Sequence, residues 1–391
     1  MVRNIFLFCI ALILGPVAAA QELVPMPAQP EGVAWPTQGW ETGDLPPETA
    51  GTIHELLRIA MAGGRHDLGG ETRAVVIIYR GKLVAEVYRD GFDPGTRHMS
   101  WSLAKSITSA LVGRAVQIGL IDDIDAPMPG LFEQDDPRAA ISWRQWITMT
   151  DGLDYQEFGA AILEQNDVIR MMYGAGRFDV VAYIREHFPL KYEPGTQWNY
   201  STAGFSLVGR ALQELIGIDS QCPTGQAGAA AEAEAEVGEM ARDCRPADVA
   251  MADWTRQVLF DPLGMDAQPE FDLSGTFLGG SNVWASARDY AKFGLLYLRD
   301  GMWDGQRLLP EGWVDMTRMP PPGGPFEYYG AGFWLLPEAG DAFYAQGHEG
   351  QTIFMVPSRD LIVVRLALME ENDANWEADL HWNLDLARAF P

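Results

Sequence analysis

The sequence predicts an α+β fold, with one antiparallel sheet assembled from both ends of the chain and a helical lobe between them. Three observations carry this. β-rich runs occupy residues 74–79 and 83–88 and return at 352–356 and 361–366, whereas about 100 to 270 reads as helix-like stretches broken by Gly, Pro and Asp. The third is composition. Of 391 residues 47% are hydrophobic and 21% charged, an ordinary globular balance in a chain long enough to bury a substantial core.

Taken in order, Arg3 precedes an apolar run at 5–14 that is too short to span a bilayer, and Ala18-Ala19-Ala20 supplies small residues for a signal peptidase. Residues 1–20 are therefore expected to be a signal peptide cut after Ala20, leaving a periplasmic or secreted protein with no stable membrane anchor. Residues 21–47 form a Pro-rich leader expected on the surface, and 48–391 a single domain. Its α/β lobe covers about 48–120 and 275–391, and its helical lobe about 121–274. Helical spacing runs over 52–62, and the two early β-runs meet around Arg80-Gly81-Lys82 as a hairpin. The two late runs are separated by the turn-forming Pro357-Ser358-Arg359-Asp360. An Ala/Glu-rich low-complexity insertion lies at about 219–250, flanked by Cys222 and Cys244. In an oxidising compartment these two cysteines are expected to pair and pin its base.

Charge removes whole function classes. Lys+Arg number 28 against 54 Asp+Glu, a net charge of −26, which repels nucleic acid and anionic lipid alike. The histidines (54, 66, 98, 187, 348, 381) are scattered, and no His-Glu-x-x-His occurs. Asp122-Asp123-Ile124-Asp125 lacks the glycine and terminal glutamate of a calcium loop. No metal or other cofactor is expected. An α/β-hydrolase would need Gly-x-Ser-x-Gly; Gly204-Phe205-Ser206-Leu207-Val208 lacks the last glycine, and Ser206 falls within a helical apolar pattern.

Lysine is rare here, with only Lys82, Lys105, Lys191 and Lys292, and Ser102 alone among the serines has a lysine three residues later. On a helix that spacing puts hydroxyl and amine on one face. The surrounding run 103–112 is largely apolar. A desolvated lysine can lose its proton and activate a serine, which arginine cannot do. Tyr200 follows the Pro194-Gly195 turn and precedes a helix-like stretch, where a phenol could relay protons. Gly347-His348-Glu349-Gly350-Gln351 enters the first late strand, where a backbone N–H could join that of Ser102 in an oxyanion hole.

Ser102-x-x-Lys105, Tyr200-Ser201-Thr202 and His348-Glu349-Gly350, in this order, resemble the three motifs of class C serine β-lactamases and the related penicillin-binding-protein-like esterases. Ile147-Thr148-Met149-Thr150-Asp151-Gly152-Leu153 resembles the family segment "LLTMTSGL", and Asp261-Pro262-Leu263-Gly264-Met265 resembles its "PLGM" turn. Gly279-Gly280-Ser281 through Ser286-Ala287-Arg288-Asp289 resembles the helix that leads back to the sheet. The resemblance implies a β-lactamase/transpeptidase-like fold with Ser102 as acylated nucleophile, Lys105 as base and Tyr200 as proton relay. It implies an oxyanion hole from the N–H groups of Ser102 and Gln351, and substrate contacts from Thr202, His348, Glu349 and Gly350. Thr202 stands where the family commonly has Asn, and His348-Glu349-Gly350 where β-lactamases have Lys-Thr-Gly. These departures disfavour an anionic β-lactam and look more like the aminohexanoate-dimer hydrolases and family VIII carboxylesterases. The expected function is hydrolysis of small-molecule esters or amides through an acyl-enzyme. A β-lactamase, a D-amino-acid peptidase or an acylated sensor of the same fold are the alternatives.

Overall fold

Arg80 and Gly81 both take positive φ, 50° and 74°. Two successive left-handed residues turn the chain with the twist that a two-residue hairpin needs, and glycine takes the second place without strain. They join β1 (Glu71–Tyr79) to β2 (Lys82–Tyr88), with Tyr79 opposite Lys82. The computed structural model describes residues 23–217, 246–321, 323 and 326–391. The expected signal peptide at 1–20, and Cys222 and Cys244 with their bridge, lie outside the described residues.

Four later strands complete one six-stranded antiparallel sheet: β3 (Trp334–Leu335), β4 (Phe343–Gly347), β5 (Gln351–Val356) and β6 (Leu361–Leu368). The order is β2-β1-β6-β5-β4-β3, so the two chain ends meet where β1 pairs with β6. Alternate residues of the central strands fall into two separate cores. Val76, Ile78, Val364 and Ile353 pack with α2 (Ala104–Gln117), α3 (Thr202–Leu215) and α4 (Ala287–Leu298). Val75, Ile77, Val363 and Phe354 pack with α1 (Ala50–Ala62) and α5 (Asp373–Arg388). Burial on both faces is why these strands read as continuous apolar runs and not as an alternation. The described residues between 121 and 274 supply helices and no strand of this sheet. A helix runs over Ala247–Thr255, across the expected end of the low-complexity insertion. No helix among the described residues is long and apolar enough to cross a membrane.

The leader lies on the surface and is fastened there. Trp35 packs on Trp303 with ring centroids 5.1 Å apart, and Trp303 Nε1 donates to Thr37 Oγ1 at 2.8 Å. Thr42 bridges to Leu83, so the leader covers the open edge of β2.

β3, β4 and α5 all escaped the sequence reading. β4 is a five-residue run ending in Ala-Gln-Gly, with little β propensity beyond its first two residues. α5 buries Asn375, Asp379 and Asn383 along its first turns and Leu386 and Ala387 only near its end, so no apolar period marks its inward face. That face meets a charge. Arg365 on β6 pairs with Asp379 at 2.6 Å, both nearly inaccessible, and donates to Thr72 Oγ1 at 3.0 Å and to the Gly69 carbonyl. Burial pushes the Asp379 carboxyl up, and the Arg365 charge and hydrogen bond oppose the shift. Asp379→Ala would strand the guanidinium without a counter-charge, and urea denaturation should show a loss of about 3–5 kcal/mol. Asp385→Ala, which breaks an exposed pair with Arg388 on the same helix, should change stability little.

Candidate active site

The nucleophile candidate does not sit in the α-helix itself. Ser102 occupies a single 3-10 turn, Trp101–Leu103, that feeds directly into α2. Ser100 anchors the turn: its N–H donates to the Val283 carbonyl at 2.9 Å and its hydroxyl oxygen accepts from Val283 N–H at 2.8 Å. Trp101 is held at φ 48°, a left-handed conformation that a side chain adopts only under constraint.

α2 is buried on all sides over its first nine residues, so Lys105 is carried into the interior and is 1% exposed. Its Nζ lies 3.0 Å from Ser102 Oγ, 2.9 Å from Thr202 Oγ1 and 2.6 Å from the Gly280 carbonyl oxygen. The Tyr200 ring lies 4.7 Å away. Burial pushes the Lys105 ammonium down to about 8, against the pull of the Glu157 charge.

Tyr200 is positioned by its neighbours in the chain. Asn199 N–H donates to the Met149 carbonyl at 3.0 Å, Asn199 Nδ2 to the Tyr155 carbonyl at 2.7 Å, and Ser201 Oγ caps α3 by accepting from Gly204 N–H at 2.9 Å. Trp334 stacks on the Tyr200 ring at 5.7 Å. Burial and the charges of Glu157 and Glu371 push the phenol well above its ordinary range, while a hydrogen bond with Ser102 acts the other way. The phenol is thus a neutral donor at ordinary pH.

The third motif is placed differently from expectation. Gly347, the last residue of β4, lies against the Ser102 turn: a Cβ there would sit 2.0 Å from the Ser100 carbonyl oxygen and 3.1 Å from Leu103 N. Only glycine allows that approach. Gln351 opens β5 opposite Gly347, one strand further away, and its side chain donates to the Ala367 carbonyl at 2.8 Å. Gly350, at φ 86°, packs under the sheet against Arg365 and Ala367. The backbone that meets the Ser102 turn is therefore Gly347-His348, because the hairpin carries Gly350 and Gln351 past it. Thr202, expected to contact substrate, is 1% exposed and engaged with Lys105.

His348 stands beside the cleft, its ring 5.1 Å from Trp101 and 6.4 Å from Phe158. Its Nδ1 is 2.9 Å from Glu371 Oε1, and Glu349 N–H donates to that same oxygen at 2.6 Å. Burial alone would lower the imidazole; the hydrogen bond to Glu371 and the charges of Glu371, Glu349 and Glu157 outweigh it and raise it. Sequence reasoning missed Glu157, Glu371 and Trp334. Only Glu157 had a local signal, lying just after the Thr148–Leu153 segment. Glu157 is buried, with Oε1 2.5 Å from Thr202 Oγ1 and Oε2 accepting from Thr202 N–H at 2.9 Å and Tyr155 O–H at 2.7 Å. Among the described residues no group of three or more potential metal ligands comes together.

Comparison with known proteins agrees with this geometry. The family model described as Beta-lactamase matches residues 60–387. The chain belongs to the β-lactamase family. It is 22% identical over 344 residues to the 6-aminohexanoate-dimer hydrolase of Paenarthrobacter ureafaciens, covering 82% of this chain and 79% of that protein. Among solved structures, a Bacillus anthracis protein provisionally named a 6-aminohexanoate-dimer hydrolase superposes with TM-score 0.67 at 17% identity, covering 92% of this chain and 89% of that one. A penicillin-binding-protein homologue from Caulobacter crescentus gives 0.60 at 16%, covering 89% and 98%. At these identities the structural likenesses establish the fold: β-lactamase/transpeptidase-like, mixed helix and antiparallel sheet.

One residue in this family segment is unusual. Asp151 stands at the serine of "TMTSGL", 1% exposed, with Oδ1 accepting from Leu153 N–H at 2.9 Å and Oδ2 without a partner. Burial pushes its carboxyl from 3.8 up to about 7. The folded state therefore holds this proton more tightly than the unfolded state. The stability it confers is full below about pH 4 and is lost as pH rises through about 7. Asp151→Asn, which does not titrate, should gain on the wild type by up to about 4 kcal/mol between pH 4 and pH 8 in urea melts; parallel curves would refute the assignment.

Proposed function

We propose that the protein is an exported serine hydrolase that cleaves carboxylic esters or small amides through an acyl-enzyme on Ser102. The observation that carries this reading is the buried Lys105 amine 3.0 Å from the Ser102 hydroxyl. In the neutral amine the lone pair takes the Ser102 proton as Oγ attacks the carbonyl carbon. The tetrahedral oxyanion is held by the N–H of Ser102 and, since Gly347-His348 meets that turn, by the N–H of His348 in place of Gln351. The Tyr200 phenol passes a proton to the leaving alkoxide or amine and regains one from Lys105. Water then attacks the acyl-enzyme by the same path reversed. Relatives named as a 6-aminohexanoate-dimer hydrolase and, from Streptomyces, a D-stereospecific amidohydrolase support the amide side of the reading. Export rests on the first twenty residues alone.

Ser102→Ala should abolish turnover of p-nitrophenyl butyrate without altering the thermal melt, and Lys105→Arg should do nearly as much damage despite keeping the charge. Tyr200→Phe should lower kcat by about 10²–10⁴. A single stoichiometric burst in the wild type would point to a sensor instead. The kcat/KM profile should rise with pH through about 8, because only the neutral amine is a base. Nitrocefin should be turned over poorly, since His348-Glu349 with Glu371 offers its carboxylate no lysine; turnover matching the ester would overturn that preference.

A further inference from the structure

Thr202 replaces an amide with a hydroxyl, and a hydroxyl has one proton to give. Glu157 Oε1, 2.5 Å away, accepts it, while Oε2 of the same carboxylate accepts from Thr202 N–H and Tyr155 O–H. With its proton committed, Thr202 Oγ1 must accept, and it accepts from Lys105 Nζ at 2.9 Å. The Gly280 carbonyl takes a second N–H at 2.6 Å. A neutral amine has two N–H bonds and one lone pair. Both N–H bonds are now assigned, and the lone pair is left facing Ser102 Oγ at 3.0 Å. Were Thr202 to turn its proton the other way, it would occupy the lone pair itself and remove the base.

We propose that Glu157 is a positioning residue that acts through Thr202 to aim the Lys105 lone pair at Ser102. The inference rests on the serine-hydrolase reading above. Glu157 also opposes the lowering of the Lys105 ammonium by burial. The other groups around this pair are the neutral phenols Tyr155, Tyr200 and Tyr329, with Asp167 acting on Tyr155, and His348, Glu349 and Glu371 across the cleft.

The test is the pH profile of p-nitrophenyl butyrate hydrolysis by wild type and Glu157→Gln, both checked for folding by circular dichroism. The amide keeps the shape but loses the charge, and its NH₂ cannot accept from Tyr155 and Thr202. We expect kcat to fall at least tenfold and the acidic limb of kcat/KM to move down by about one pH unit, since the base loses a stabilising negative charge. The same shift should persist in a His348→Asn background, which separates Lys105 from the imidazole that Glu157 also influences; the phenols it acts on stay neutral over this range. Should Glu157→Gln fail to fold, Thr202→Ser, which keeps the hydroxyl, should retain the wild-type limb while Thr202→Val moves it down. A limb that stays in place in Glu157→Gln, a shift that vanishes with His348, or coinciding serine and valine profiles would overturn the proposal. If the wild type turns over no ester or amide, the serine-hydrolase reading itself fails, and this one with it.

Discussion

The amine of Lys105, held out of water between three oxygens, is the interaction on which the rest of the site depends. An ammonium loses most of its hydration when buried, so its charged form is penalised and its proton becomes available near neutral pH. The oxygens that hold it come from residues 102, 202 and 280, and no local segment could supply them. α2 can carry a lysine inward because its neighbours over Ala104–Val112 are buried on every side, between the sheet and the helical lobe. The base is thus a product of tertiary packing, though its residue is visible in the chain.

Around this amine the structure uses strain and close approach. Trp101 at φ 48° and Glu349 at φ 61° both hold left-handed backbone without being glycine, and they lie on opposite sides of the same contact. Such conformations cost of order 1–3 kcal/mol and survive where surrounding bonds over-determine them. Here Ser100 is tied to Val283 on one side, and Glu349 N–H is tied to Glu371 on the other. Beneath the hairpin, Arg365 touches Gly350 and pairs with Asp379, so β5, β6 and α5 form a firm floor under the third motif.

The electrostatics of the cleft differ from those of an enzyme built for anionic antibiotics. Where a lysine would project, this chain has an imidazole bonded to Glu371 and next to Glu349, with Glu157 buried further in. Coulomb attraction to a substrate carboxylate is weakened by each of these acids, and the net charge of −26 adds in the same direction.

Much was legible in the chain itself. Sheet strands buried on both faces announce themselves as apolar runs, the Arg80-Gly81 turn as a hairpin, and Ser102 as the one serine with a lysine three residues later. These are local patterns, set by backbone geometry and by spacing along one element. What stayed hidden needs two elements to meet. α5 concealed its inward face because much of that face is polar, with Asp379 paired to Arg365 on β6. The residue that meets the nucleophile's turn is Gly347 and not Gln351, because a hairpin decides which end of a strand arrives there. Glu157 gains its meaning only when folding brings it against Thr202, and Thr202 against Lys105. The order of motifs determined the fold and the chemistry on offer; which atoms accept and which donate was decided by packing, since a hydrogen bond's direction depends on partners far away in the chain.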